Sequence, residues 1–128
     1  TGGSANGWES GITNKKVYAY YFGATSDTGG PASAADFNDG KWHHSMNVVD
    51  ANGMTMYVDG IVVATSSWTA APSVTTSVSI GRIGEAHANA DFPGSLDDIR
   101  VYNRALSAQE VKTLYKLGAQ WCYYGLYK

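Results

Sequence analysis

Cysteine is almost missing from this sequence: Cys122 stands alone in 128 residues. An intrachain disulfide is excluded, and a lone thiol in an aromatic-rich terminal segment reads as a packed side chain rather than a nucleophile. An excess of one charge is missing too. Nine Lys and Arg stand against eleven Asp and Glu, for a formal net charge of −2. The cations are scattered, so the basic stripe expected of a nucleic-acid binder is not there. The apolar runs fall far short of the ~20 residues a membrane-spanning helix needs, and no membrane insertion is expected. The sequence holds no phosphate loop, G-x-S-x-G, H-E-x-x-H or paired C-x-x-C motif, and no Asn-x-Ser/Thr sequon. It begins at Thr1, with no initiator Met and no signal-peptide pattern. The expectation is a processed product or an excised part of a longer polypeptide, and the sequence leaves those two open.

What is abundant points to β-structure. Gly is frequent at 15, Tyr occurs nine times and Trp four times, and long helical patterns are scarce. The length suits one domain, 1–128, with a real core. Its organising stretch is Gly40 to Gly60, GKWHHSMNVVDANGMTMYVDG. Trp42, His44, Met46 and Val48 alternate onto one face, as do Met54, Met56 and Val58 after a turn expected at Asn52-Gly53. A second turn falls at Asp59-Gly60, since Asn-Gly and Asp-Gly tolerate the positive φ of tight hairpins. Ile61 to Thr65 returns as a third strand. His43 and His44 point to opposite faces of a strand and read as structural, His44 packed beside Trp42.

Before this meander, Trp8–Thr13 and Lys15–Gly23 read as strands. In the second, Val17, Ala19 and Tyr21 share one face and Tyr18, Tyr20 and Phe22 the other; packing and a sugar-binding platform both fit the tyrosines. Ala24–Asp39 is a long Gly-, Ser- and Asp-rich loop of the kind that is often functional. After the meander, loop Ser66–Thr76 carries Trp68, placed there by core packing or by ligand contact. Ser77–Ile83 is a short strand with Val78 and Ile80 inward. Gly84–Pro93 is a polar loop with Glu85, His87, Asn89 and Asp91. Ser95–Tyr102 is a strand with Ile99 and Val101 inward, and Asp97 in the same alternation needs partners to offset desolvation. Ser107–Leu117 is the one helix. Ser107 and Glu110 form a capping box and Leu106 and Val111 a hydrophobic staple. Lys112 and Lys116 suit its negative end, and Gly118 suits a C-terminal cap. The tail AQWCYYGLYK has no firm assignment; an added strand is one option.

Two ordered motifs carry a family resemblance. D-G-K-W-H-H followed by M-Y-V-D-G resembles the centre of laminin-G-like domains in the concanavalin A-like lectin/glucanase superfamily. F-P-G-S-L-D-D-I-R-V-Y-N-R-A-L-S-A-Q-E-V resembles the last strand and closing helix of that family and of pentraxins. Together they span 36–117. The resemblance implies an all-β, antiparallel, jelly-roll-like sandwich with one short C-terminal helix. It also implies an extracellular or cell-surface recognition module that binds a glycan or glycoprotein and serves in adhesion. Ligand contacts are then expected from Trp68, Tyr20, His87 and Asn89. Many relatives bind Ca²⁺, which wants several oxygen ligands; Glu85, Asn89 and Asp91 are one candidate set and Asp36 and Asp39, beside Asn38, another.

Glucanases of the superfamily use paired carboxylates. Only Glu9, Glu85 and Glu110 are available, Glu110 caps the helix, and no E-x-D-x-x-E spacing occurs, so no catalytic residues are expected. The sequence departs from the family at its start: about forty residues precede Trp42, room for two or three of the usual opening strands. Unpaired sheet edges invite another chain. An assembly subunit that completes its sheets with neighbours is therefore the alternative function, and a glycoside hydrolase a distant third.

Overall fold

The structure, a computed structural model, describes residues 7–22, 27–28, 30–67, 69, 79–81 and 91–123. The first sheet has the order β1-β2-β3, from β1 (Gly7–Thr13), β2 (Lys16–Phe22) and β3 (Asp27–Thr28), all antiparallel. Asn14 and Lys15 join β1 to β2 with φ of 48° and 70°. Two consecutive positive φ values give a hairpin turn whose twist matches that of the strands. Lys15 thus belongs to the turn and not to the strand.

The segment expected as a loop over 24–39 is partly paired. Besides β3, residues 31–33 run beside β2: Ala19 N donates to Pro31 O at 3.1 Å and Ser33 N to Val17 O at 2.8 Å. Gly30 makes this approach possible, because a Cβ there would stand 1.7 Å from Ala19 O. The buried Ser33 hydroxyl accepts from Val17 N and donates to Ala35 O, so its burial leaves no polar group unmatched.

The second sheet has the order β4-β5-β6, from β4 (Ser45–Asp50), β5 (Gly53–Val58) and β6 (Ile61–Ser66). Its first turn lies one residue earlier than expected, at Ala51-Asn52. Asp50 Oδ1 accepts the Asn52 N–H at 2.7 Å, and Asp first with Gly fourth is the type I preference. Gly53 opens β5 instead, at φ 135°, where a Cβ would lie 2.1 Å from Ser66 O. Close approach of β6, not turn formation, requires this glycine. The second turn is at Asp59-Gly60 as expected, with φ of 53° and 74°. A bulge follows: Met56 faces Ala64 while Tyr57 faces Val62.

The two sheets pack face to face. Val17 and Ala19 of β2 meet Met54, Met56 and Val58 of β5, with Ile12, Phe37, Val49, Val63 and Ala64 around them. The opposite face of the second sheet is covered by α1 (Ala108–Tyr123), where Val48, Tyr57, Leu106 and Val111 form a cluster with Met46 and Leu114. Alternation along β4 and β5 therefore feeds two cores at once. The Tyr18 ring lies over Gly11, its register partner on β1.

The capping box forms: Ser107 N donates to Glu110 Oε2 at 2.8 Å, and Glu110 N donates to Ser107 Oγ at 3.3 Å. The staple residues Leu106 and Val111 are both buried. The helix end differs from expectation. α1 continues through Gly118 to Tyr123, so Gly118 is interior, Lys112 and Lys116 are not in the last turn, and residues 119–123 are helix and not strand. Good helix formers, Ala119 and Gln120, follow the glycine and outweigh its penalty.

Two further expectations fail. Residues 95–102 form no strand ladder, and Ile99 and Val101 are 54 % and 78 % exposed. Asp98 takes φ 51°, which breaks the extended pleat, and Asp97 is exposed, accepting the Asp98 N–H at 2.7 Å. Ile80, expected inward, is exposed as well, and residues 79–81 are not strand; Val78 lies outside the described residues.

Candidate functional site

The densest polar constellation among the described residues surrounds His43. Its Nδ1 lies 2.8 Å from Asp59 Oδ2 and its Nε2 lies 3.0 Å from Asp39 Oδ1. Asp59 sits in the β5–β6 turn, and its other oxygen accepts the His44 N–H at 3.0 Å. Asp59 N in turn donates to His44 O at 2.9 Å. Asp39 also pairs with Lys41, whose Nζ is 2.9 Å away and whose N–H is 3.0 Å from Oδ1. The Phe37 ring meets His43 edge-on at 5.1 Å. As an imidazolium, His43 donates to a carboxylate from each nitrogen.

The charges respond accordingly. Burial pulls the His43 pKa down, but the hydrogen bonds and charges of Asp59 and Asp39 outweigh it, and the pKa rises above the ordinary histidine value. Asp39 is held well below the usual carboxylate range by Lys41 first and His43 second. The cluster ties segment 36–44 to the far turn of the second sheet.

His44 lies on the other side. Its ring centroid is 6.3 Å from that of Tyr115 on α1, and burial lowers its pKa, so the neutral form is favoured. Its Nδ1 has no hydrogen-bond partner. Trp42, expected beside it in the core, is 61 % exposed because it precedes the ladder, which starts at Ser45. Asn47 faces Met56 across the ladder and also leaves a buried oxygen, Oδ1, unpartnered.

The expected site residues are dispersed. Trp68, Glu85, His87 and Asn89 lie outside the described residues. Asp91 is described and exposed, and the neighbouring Phe92 N donates to Gly81 O at 2.7 Å. Tyr20 is half-buried on β2, opposite Glu9. Next to it, burial and then the Glu9 carboxylate push the Tyr18 phenol up to about 12. Of the second calcium set, Asp36 is 3.0 Å from Lys16 Nζ, and Asp39 is held by Lys41 and His43. A cation bound at Asp36 and Asp39 would compete with Lys16, Lys41 and His43 for these carboxylates.

A cleft of about 490 Å³ opens at the Asp50–Gly53 end of the second sheet. Asp50, Asn52, Thr55, Thr65, Ser66 and Ser67 line it, with Gly53 and Met54. Thr55 is the register partner of both Val48 and Thr65. It therefore occupies the face that α1 covers elsewhere. Sequence reasoning missed this cleft and missed Asp59 as the partner of His43. The register would have found Asp59: moving the first turn back one residue shifts the pairing by two and brings His44 opposite Asp59.

The described residues make a face-to-face pair of antiparallel sheets, with the W-H-H segment just before β4 locked to the Y-V-D-G turn and a helix closing one face. The chain belongs to the concanavalin A-like lectin/glucanases superfamily, whose laminin G model matches residues 1–112. A solved structure of an S-layer domain-containing protein from Clostridium thermocellum is similar in fold, with 22 % identity and a TM-score of 0.56. The match covers 90 % of this chain and 66 % of that one, so this chain spans about two thirds of the length of that solved segment. No curated protein matches the chain.

Proposed function

We propose that this chain is a non-catalytic recognition module of an extracellular or cell-surface protein, that it binds carbohydrate, and that calcium assists. The laminin G match supports the non-catalytic part, and the closure of the His43 cluster removes one candidate general base. Both ring nitrogens are committed to carboxylates at 2.8 Å and 3.0 Å, which leaves His43 no nitrogen to take a proton from a substrate. Membership of a superfamily of lectins and glucanases supports a carbohydrate ligand. That the structural neighbour is an S-layer domain-containing protein favours a cell-surface location. In this reading Trp68, Tyr20, His87 and Asn89 contact the glycan. Glu85 and Asp91 supply carboxylate oxygens, and Asn89 its amide oxygen, to calcium. The test is glycan binding by Trp68→Ala beside the unaltered chain, with folding checked by circular dichroism. Lost binding with folding intact supports the reading, and unchanged binding removes Trp68 from the site.

A second reading, assembly by sheet completion, is favoured by one observation. Leu96, Ile99 and Val101 are 47 %, 54 % and 78 % exposed along a stretch without a strand partner among the described residues. Exposed apolar side chains grouped in this way are a contact surface for another chain. A sedimentation dilution series, with and without calcium, decides it: persistent oligomers support assembly, and a monomer at every concentration counts against it.

A further inference from the structure

We infer that the cleft at the Asp50–Gly53 end of the second sheet is a saccharide subsite selective for neutral sugars. The inference rests on the carbohydrate-recognition reading and adds to the contacts proposed above a separate subsite with its own ligand class. Helix α1 covers the sheet face over Met46, Val48 and Tyr57, where the residues are apolar. On the same face beyond Val48, the side chains become hydroxyls: Thr55 and Thr65 stand directly opposite each other on β5 and β6. A threonine pair on a solvated strand needs no ligand to explain it. Here, however, the pair lies in an open cleft of about 490 Å³, lined also by the Asp50–Asn52 turn and by residues 66 and 67 at the end of β6. That lies within the ~300–1,000 Å³ range of small-molecule sites.

The walls are well anchored. Asp50 Oδ1 fixes the turn through the Asn52 N–H, and Gly53 allows β5 and β6 to approach where any Cβ would meet Ser66 O. Preorganised walls lose little entropy on binding. The chemistry selects the ligand class. The Thr55, Thr65 and Ser67 hydroxyls and the Asn52 amide line the cleft, and groups of these types both donate to and accept from sugar hydroxyls. Asp50 is the one charged residue in the lining, and no Lys, Arg or His lines it among the described residues. An anionic sugar would face that carboxylate with no compensating cation.

The experiment is a titration of the isotope-labelled chain, followed by amide NMR shifts, with neutral gluco-, galacto- and manno-oligosaccharides and with a uronate oligosaccharide. The expected result is a set of shifts at residues 50–55 and 65–67 with a neutral sugar and weaker or no binding of the uronate. Thr65→Val preserves the branched strand side chain while removing the hydroxyl, and Asn52→Ala removes the amide. Each is expected to weaken the neutral sugar about tenfold, the loss of a hydrogen bond or two, with the rest of the spectrum unchanged. Saccharide shifts confined to other residues, full affinity in both variants, or preference for the uronate would overturn the subsite while leaving carbohydrate recognition standing. No shift with any saccharide would overturn both.

Discussion

His43 Nδ1 and Asp59 Oδ2 stand 2.8 Å apart, joining the segment that leads into the central meander to the turn between its second and third strands. Both side chains are largely buried, at 19 % and 28 % exposure. The pair is therefore shielded from solvent more than a surface ion pair is, and Asp59→Asn is expected to cost about 1–2 kcal/mol, the range of a charge-assisted hydrogen bond with partial exposure. Urea unfolding of the variant beside the unaltered chain measures this. A loss below a few tenths of a kcal/mol would make the contact incidental.

The same pair sets a pH dependence. The folded pKa of His43 is raised above its ordinary 6.5, so the folded state holds its proton more tightly than the unfolded state does. The contribution is fully present below 6.5 and is lost as pH rises through the higher folded value. Denaturation midpoints taken upward from pH 6 should fall over that interval for the unaltered chain and stay flatter for His43→Gln. Parallel profiles would contradict the assignment.

The helix start responds to acid in the opposite sense. Glu110 accepts from both Arg104 nitrogens, at 3.1 Å and 2.6 Å, and from Ser107. Arg104 first, and the Ser107 hydrogen bonds next, lower its pKa from 4.5 to about 2. Its contribution holds above 4.5 and is lost as pH falls toward 2. Glu110→Gln should remove that acid sensitivity. Ser107→Ala should cost about 1 kcal/mol by loss of the cap. Thermal melts of the two variants at pH 3 and pH 7 check both statements.

Two glycines should respond with opposite signs. At Gly53, φ 135° and a Cβ only 2.1 Å from Ser66 O leave no room, and Gly53→Ala is expected to destabilise by about 2–4 kcal/mol. At Gly118 nothing lies within 4 Å of a Cβ and the residue is inside α1, so Gly118→Ala should stabilise by about 0.5–1 kcal/mol. Chemical denaturation of both variants gives the two signs directly.

Lys15 occupies a left-handed turn position at φ 70°, a conformation that costs most non-glycine residues on the order of 1 kcal/mol. Lys15→Gly is therefore expected to raise the unfolding midpoint slightly, since its backbone O still accepts from Phe37 N at 2.7 Å. A lowered midpoint would show that the side chain matters more than the backbone.

Period-two alternation made the second sheet legible in the sequence: Met54, Met56 and Val58 share one face as read, as do Met46 and Val48, although only the structure shows that the first set meets the other sheet and the second the helix. Ser107 and Glu110 were equally legible, because a capping box is local. The register was not. Asn52-Gly53 is the stronger turn signal, but Asp50 accepts the Asn52 N–H and moves the turn back one residue. A one-residue error in the turn shifts the pairing by two, which keeps every face correct while hiding the Asp59 partner of His43. Residues 95–102 alternate as a strand should, yet the positive φ of Asp98 breaks the ladder; no sequence pattern announces that. At Gly118, a cap signal gave way to the helix-forming residues after it. The cleft was invisible because its lining comes from the ends of three strands, and the misplaced turn had shifted the pairing of two of them.

The most direct test of the central claim is a glycan-array screen of this chain, run in calcium and again with a chelator. Carbohydrate recognition predicts retention on a restricted set of related glycans, weaker with the chelator, and no release of cleaved sugar on prolonged incubation. A folded chain that retains no glycan under either condition would contradict the account and move sheet-completing assembly ahead of it.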